Sequence, residues 1–322
     1  MKKINVAVIG TGNMGQHHVR VFSTLRKVKL IAVCDQNIER AKELAQKYGS
    51  KFYQDYNVML NSEQIDAVTI AVPTFLHHKI ALDVLKRGLS VLIEKPIATT
   101  LEEAKDIVQA SHKEKSIVMI GHIERFNPAV GVLKKLIMKD TFGRIITLNS
   151  KRVGGVPAQI KNANVILDLA IHDIDISNYL LDDLPYKVLG FKSKNVIKEQ
   201  EDSAIILLKY QNSISVIENN WITPVKVRTL DITGTKAYAR LDYIKQSLVL
   251  YASNFDFQKE PYNNYQEFIH KTTTKRKKNV YIKKAEPLKR ELESFISHVI
   301  RKKQPLMDAQ TGYNVLKIAL DI

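Results

Sequence analysis

Cysteine is almost missing from this chain of 322 residues. The one thiol, Cys34, has no partner for an internal disulfide. Stability must therefore come from apolar burial, and a reducing, cytoplasmic compartment is expected. Cys34 lies inside an apolar strand pattern, the setting of an inert core thiol. Long apolar runs are missing too. None approaches the ~18 residues of a membrane-crossing helix. Met1-Lys2-Lys3 leads directly into a strand pattern, without the apolar core and cleavage site of a secretion signal. No membrane partner is expected. Aromatic residues make up 7% and are not interleaved with basic ones, unlike a base-stacking platform. Acidic residues are outnumbered, 33 to 49, for a net charge of +16. The lysines are dispersed, except over residues 271–284. The excess reads as a solvated surface that attracts phosphate-bearing small molecules, with no nucleic-acid partner.

Glycine is scarce as well, at 13 residues, yet three of them fall in Gly10-Thr11-Gly12-Asn13-Met14-Gly15. An apolar run, residues 4–9, precedes this stretch and a helical pattern, 16–25, follows it. Gly10 permits a tight strand-to-helix turn. Gly12 lets a pyrophosphate approach the backbone, and Gly15 lets the helix pack against the strand. The helix start offers N–H groups and a positive dipole end to phosphates. A second strand pattern, 29–34, ends at Asp35, where an acid meets a ribose 2′-hydroxyl in dinucleotide-binding turns. The carboxylate favours NAD over a 2′-phosphate, while nearby Arg40 leaves NADP open. The alternative is an ordinary strand–turn–helix with no ligand.

Strand and helix patterns alternate through the first third. Strands are expected at 4–9, 30–34, 67–72, 91–93 and 117–120, with a short one at 51–53. Helices are expected at 14–25, 38–48, 77–86 and 101–112. This is the pattern of an α/β doubly wound parallel sheet, the Rossmann arrangement, over residues 1–121. Residues 122–322 read as an α+β domain. A helix at 127–138 and a long one at 165–181 accompany a meander of mainly antiparallel strands from 186 to 251. Residues 254–284 read as a solvated basic loop with an edge strand; an arm contacting a partner is the sharper alternative. Two helices, 288–301 and 308–322, close the chain, and its apolar last residues suggest that the natural protein continues a little further.

In an open α/β sheet, ligands bind beyond the carboxyl ends of the strands. The loop Val72-Pro73-Thr74, leading to His77 and His78, is expected beside the glycine turn, with Thr74 as a helix cap and His77 near the cofactor. The next strand ends in Glu94-Lys95-Pro96. An ammonium there can polarise a substrate hydroxyl, and the sequence admits a cis Lys95–Pro96 bond. Asp168 and His172 stand four apart in a helical pattern, so they face one side. A carboxylate that orients an imidazole makes a general base. Asp175 lies on the same side. A shared metal ion lacks a convincing third ligand, so no metal is expected. The plain alternatives are an exposed lysine before a turn and a buried His–Asp pair anchoring a helix.

Gly10-x-Gly12-x-x-Gly15 with Asp35, Glu94-Lys95-Pro96, residues 121–127 (GHIERFN) and Asp168-x-x-x-His172-Asp173 together resemble the Gfo/Idh/MocA oxidoreductases, over nearly the whole chain. That resemblance implies NAD(P)-dependent oxidation of a sugar or cyclitol hydroxyl. It implies Lys95 as the lysine on the reacting hydroxyl, His172 as the acid/base and Asp168 as the carboxylate beside it. Arg125 matches a position near nicotinamide and substrate. The cofactor-binding set it implies is Gly10, Thr11, Gly12, Asn13, Met14, Gly15, Asp35, Val72, Pro73, Thr74, His77, Glu94, Lys95 and Arg125. The second-domain sheet implies a homodimer or homotetramer. Residues 121–128 look most like the branch that oxidises nucleotide sugars such as UDP-N-acetylglucosamine. Residues 161–167 depart from the glycine-rich turn that many members carry there.

Overall fold

Apolar runs flanked by amphipathic stretches build the first unit, and alternating strands build the second. The computed structural model describes residues 3–155, 164–252, 264–266 and 277–322. The chain divides into a unit of residues 1–126 with 286–320, and a unit of residues 127–285 with 321–322.

In the first unit, six parallel strands form one sheet: β1 (Ile4–Ile9), β2 (Val28–Cys34), β3 (Lys51–Tyr53), β4 (Ala67–Ile70), β5 (Ser90–Glu94) and β6 (Val118–Gly121). Their order is β3-β2-β1-β4-β5-β6, the doubly wound order whose direction reverses between β1 and β4. The central strand β4 is buried on both faces, as expected of its unbroken apolar run. The helices α1 (Asn13–Thr24), α2 (Ile38–Tyr48), α3 (Tyr56–Ser62), α4 (His77–Leu85) and α5 (Leu101–Lys113) connect the strands. Thr100 and Glu103 close a capping box that starts α5, a reciprocal bond pair readable in the sequence. The expected strands and helices are all present here, with ends shifted by a few residues.

The second unit carries α6 (Pro128–Met138), β7 (Ile145–Val153), a π turn (Ile166–Ala170) and α7 (Ile171–Leu181). Seven more strands follow: β8 (Lys187–Ser193), β9 (Ser203–Lys209), β10 (Ile214–Asn220), β11 (Val227–Gly234), β12 (Ala237–Asp242), β13 (Ser247–Ala252) and β14 (Lys277–Val280). They form one sheet in the order β14-β13-β12-β11-β7-β10-β9-β8. The simple meander expected from the sequence is interrupted. β7 inserts between β11 and β10 and pairs parallel to β10, a long-range pairing that no local turn signals. Leu148, Leu230, Ile232 and Leu241 face the core with Ala129, Leu133 and Ile176 from the helices. The opposite face leaves Leu189, Phe191, Ile205 and Leu207 exposed. Residues 161–163, the start of the segment that departs from the glycine-rich turn, and residues 271–276, the first part of the basic run, lie outside the described residues.

The two closing helices, α8 (Pro287–Arg301) and α9 (Ala309–Leu320), lie in the first unit, not in the second as the expected 122–322 domain placed them. Packing explains the difference. Leu288, Leu292, Phe295 and Ile296 join Val19, Phe22, Val28 and Leu30 in one core, and the Ile120 N–H donates to the Met307 carbonyl at 2.8 Å. The apolar stripe of α8 was visible in the sequence; which sheet it covers was not. Phe295→Ala should therefore lower the unfolding free energy by about 3–5 kcal/mol in a denaturant titration. A loss under about 1 kcal/mol would contradict this placement.

Candidate active site

The glycine turn has the three different environments that its chemistry needs. Gly10 adopts φ +90, a backbone that side chains resist, and a Cβ there would lie 2.4 Å from the Ala71 carbonyl oxygen. At Gly15 a Cβ would lie 1.9 Å from the Gly10 carbonyl oxygen, so this glycine is a packing requirement. Gly12 differs: the nearest atom to its added Cβ is an Arg40 guanidinium nitrogen at 3.8 Å. Its open side is the cradle a pyrophosphate would occupy. Gly12 also caps α1, with no side chain bonding the helix end and no acid in the first turn, so the positive dipole end is left for an anion.

Asp35 locks this turn. Its Oδ2 accepts from the Thr11 N–H at 2.7 Å and the Thr11 hydroxyl at 2.8 Å, and its Oδ1 accepts from the Asn37 N–H at 2.8 Å. A carboxylate has about four lone-pair directions. Three are taken within the protein, which leaves one direction that could accept from a ribose hydroxyl. A cavity of about 520 Å³ opens beside it, lined by Gly10, Gly12, Asn13, Asp35, Arg40, Gln54, Tyr56, Ala71, Val72 and Pro73, among others. It lies at the ends of β1 and β4, where the strand order reverses. These residues fit the adenosine and pyrophosphate of a dinucleotide. Gln54 and Tyr56 were not foreseen; their place just after β3 was the available signal. Cys34 also lines the cavity, but burial, with Asp35 and Asp55 adding, pushes its thiol up to about 12, so it stays protonated and inert.

Lys95 follows β5 at the same sheet edge, half-buried, and the Lys95–Pro96 bond is cis. Two expected cofactor contacts point elsewhere. His77 is buried, its Nδ1 lying 2.8 Å from the Pro96 carbonyl oxygen and its Nε2 2.9 Å from that of Val72. It fastens the Val72 and Pro96 segments together and has no nitrogen left for a cofactor. Glu94 is turned inward, where its Oε1 accepts from His18 Nε2 at 2.9 Å. Buried groups must pair within the protein, and sequence order alone does not show which side chains face inward. Thr74 begins a short 3-10 turn before α4, and His78 meets Asp106 at 3.1 Å on the surface. Arg125 lies in the turn Ile123–Phe126 of the same unit, half-buried. Met14, in the first turn of α1, is exposed.

The second unit presents His172, half-buried in the first turn of α7. Asp168 lies in the preceding π turn, so the expected α-helical i, i+4 spacing is not the local geometry. A π turn widens the ring of backbone bonds and is common at functional sites. Asp168 Oδ2 accepts from the indole of Trp221 at 3.2 Å. Trp221, the only tryptophan, is buried, and its backbone N–H donates to the Asp202 carbonyl at 2.9 Å. Burial works to raise the Asp202 carboxyl, but backbone N–H groups of Ile197, Val196 and Asn195 outweigh it and hold the group below the usual carboxylate range. Beside His172, Asp173 takes two bonds from Arg152, at 2.9 and 3.1 Å, and one from Asn219 at 3.1 Å. The Arg152 guanidinium also lies over the Tyr243 ring, 5.0 Å from its centroid. This buried network ties α7 to β7 and β10. Among the described residues, no three His, Cys, Asp or Glu side chains form a metal-binding group, and no helix is long and apolar enough to cross a membrane.

Comparisons with known proteins agree with this fold. Residues 4–122 match a family model described as the oxidoreductase family, NAD-binding Rossmann fold; residues 134–320 match its C-terminal alpha/beta domain. The whole chain is 24% identical to the UDP-N-acetylglucosamine 3-dehydrogenase of Acidithiobacillus ferrooxidans, covering 97% of it. A solved structure of that enzyme superimposes with a TM-score of 0.86 at 25% identity, covering 100% of this chain and 97% of the other. An inositol 2-dehydrogenase of Salmonella paratyphi B is 24% identical over 78% of each chain. Levoglucosan dehydrogenase, solved with NADH and levoglucosan, shares the fold with a TM-score of 0.86 at 20% identity, covering 100% and 96%.

The glycine turn supplies a discriminating test. Gly12→Ala, placed in open space, should change stability by less than about 0.5 kcal/mol yet weaken NADH binding by about tenfold or more, read by fluorescence titration. Gly15→Ala should lower the melting temperature instead. Equal stability losses in the two variants would contradict the roles assigned here.

Proposed function

This chain belongs to the Gfo/Idh/MocA oxidoreductase family of nicotinamide-dependent dehydrogenases acting on CH–OH groups, and on that footing we propose that it oxidises the C3 hydroxyl of a nucleotide sugar such as UDP-N-acetylglucosamine to a 3-keto sugar. The observation that carries the substrate class is the full-length similarity to an enzyme of that name. The inositol and levoglucosan dehydrogenases support a second reading, a free sugar or inositol as substrate. A non-catalytic NAD-binding sensor is disfavoured, because such a protein has no need of both Lys95 and His172.

When bound, the nicotinamide supplies the hydride acceptor. The chain's own residues do the rest. Lys95, a cation at the end of β5, holds the reacting hydroxyl oxygen and offsets the negative charge that grows there. His172 takes the hydroxyl proton. Asp168 accompanies it, with its carboxylate oriented by the Trp221 indole. Arg125 would help hold the substrate beside the nicotinamide. Asp35 selects NAD through its remaining lone pair, and Arg40 at the cavity wall leaves some use of NADP. Surface lysines suit a pyrophosphate-bearing substrate. The exposed apolar face of β8 and β9 suits a homodimer or homotetramer. One free thiol suits the cytoplasm.

Steady-state assays test this reading. With NAD+, UDP-N-acetylglucosamine should give a higher kcat/KM than free N-acetylglucosamine or myo-inositol; the reverse order would overturn the substrate assignment. NADP+ should support a lower kcat/KM than NAD+. Lys95→Met and His172→Ala should each lower kcat by about 10²–10⁴-fold with little change in NADH affinity. Near-normal turnover in either variant would remove that residue from the mechanism.

A further inference from the structure

Next to the strand end that carries Lys95 lies a titratable group without a role in the chemistry above. Glu291, on α8, is completely buried, and neither carboxyl oxygen has a hydrogen-bond partner among the described residues. Burial disfavours its charged form, the negative charge of Glu94 adds to this, and together they hold its pKa well above the ordinary carboxylate range. Glu94 behaves in the opposite way. Burial works to raise it, but the bond from His18 and the charges of His18, Lys95 and His77 outweigh burial and hold it down. His18 is itself completely buried, and its Nδ1 has no hydrogen-bond partner among the described residues. Gly121 on β6 leaves the space: a Cβ there would lie 3.1–3.2 Å from the Glu94 carboxylate. One carboxylate, one carboxylic acid and one imidazole, from three elements, thus share a buried volume behind Lys95.

An unpaired buried acid costs stability whenever solvent would ionise it. Chains keep such groups mainly where they serve a site. With Glu291 neutral, the cluster's negative charge stays on Glu94, whose Oε1 lies 2.9 Å from His18 Nε2. Ionising Glu291 sets a second carboxylate against Glu94 in a dry setting where repulsion is strong. We propose that Glu291 is a positioning residue, held as a neutral carboxylic acid, that keeps the cluster's negative charge on Glu94 and so holds the β5 end presenting Lys95; its ionisation releases that end and sets the alkaline limit of activity. The role given to Lys95 rests on the function proposed above; the protonation state of Glu291 does not.

Other charged groups near the cluster are accounted for. Lys95 and His77 flank Glu94. On α1, which packs against α8, Arg20 pairs with Glu286 at the start of α8, and His17 is exposed. The turn Ile123–Phe126, also packed on α8, brings Glu124 and Arg125, and Arg290 donates to the Phe126 carbonyl at 3.1 Å. His122 is buried directly after Gly121.

Below the ordinary carboxylate range, Glu291 is protonated both folded and unfolded, and stability is intact. As pH rises, the unfolded chain ionises it and the folded chain does not, so the folding constant falls about tenfold per pH unit until the folded group titrates. Glu291→Gln, an isostere of the neutral acid, lacks this loss. The full-length protein and the variant should melt together below about pH 4, and the variant should melt progressively higher as pH rises. The alkaline limb of kcat/KM, measured well below the melting temperature, should move to higher pH in the variant, with activity retained at lower pH. Glu291→Ala, which leaves a cavity, should be less stable than Glu291→Gln at every pH. Parallel melting curves for wild type and Glu291→Gln would overturn the neutral acid. Superimposable pH profiles would overturn the positioning role. The melting comparison needs no substrate, so it is readable even if the sugar assignment fails.

Discussion

The bond pair between Asp35 and Thr11 is the interaction on which the cofactor half depends. A tight turn with φ +90 at Gly10 is held by few backbone partners. The Gly10 N–H donates to Cys34 and the Ala71 N–H to Ile9, both at 2.8 Å. These bonds fix the strand ends, but only the Asp35 carboxylate fixes the first residue after Gly10, by gripping its N–H and hydroxyl together. Such bonds to a charged acceptor are roughly twice as strong as neutral ones. The acid at the end of β2 therefore has two duties. It shapes the glycine turn, and in the proposed function its remaining lone pair serves a ribose hydroxyl. This also explains why Gly12 is open while Gly10 and Gly15 are crowded: the turn is held from its other side.

The segment of the second unit that carries Asp168 and His172 is organised by desolvated polar groups rather than by the turn of a single helix. Arg152, Asp173 and Asn219 are buried together, and removing one member would leave the others uncompensated, a cost that typically reaches several kcal/mol. The network holds α7 by the residue next to His172, while Trp221 holds Asp168 from β10's end. Rigidity of this kind is what the proposed role of His172 as a base requires. The sheet's other face carries exposed Leu189, Phe191, Ile205 and Leu207, more contiguous apolar surface than scattered single residues present.

The sequence carried much of this in readable form. The glycine spacing, the acid at the end of β2, the alternation of strands and helices, and the Glu94-Lys95-Pro96 strand end were all local patterns, and local patterns reflect local physics. What stayed hidden was long-range. β7 slots between β10 and β11, α8 returns to the first unit, and the π turn displaces Asp168 from simple helical spacing. Glu94 and His77 face inward to partners 76 and 19 residues away, so residues that looked like cofactor ligands are struts. Burial and pairing decide such roles, and neither can be read from spacing. Glu291 was invisible for the same reason: an acid in the amphipathic pattern of α8 looks like any exposed acid until the fold buries it.

Isotopic labelling asks most directly whether the chain removes hydride from C3 of a nucleotide sugar. UDP-N-acetylglucosamine carrying deuterium at C3 would be incubated with the protein and NAD+, and the reduced cofactor isolated for mass spectrometry. Oxidation at C3 predicts deuterium in the NADH and a sugar product that has lost the label. NADH without deuterium, or recovery of the labelled sugar unchanged, would contradict it.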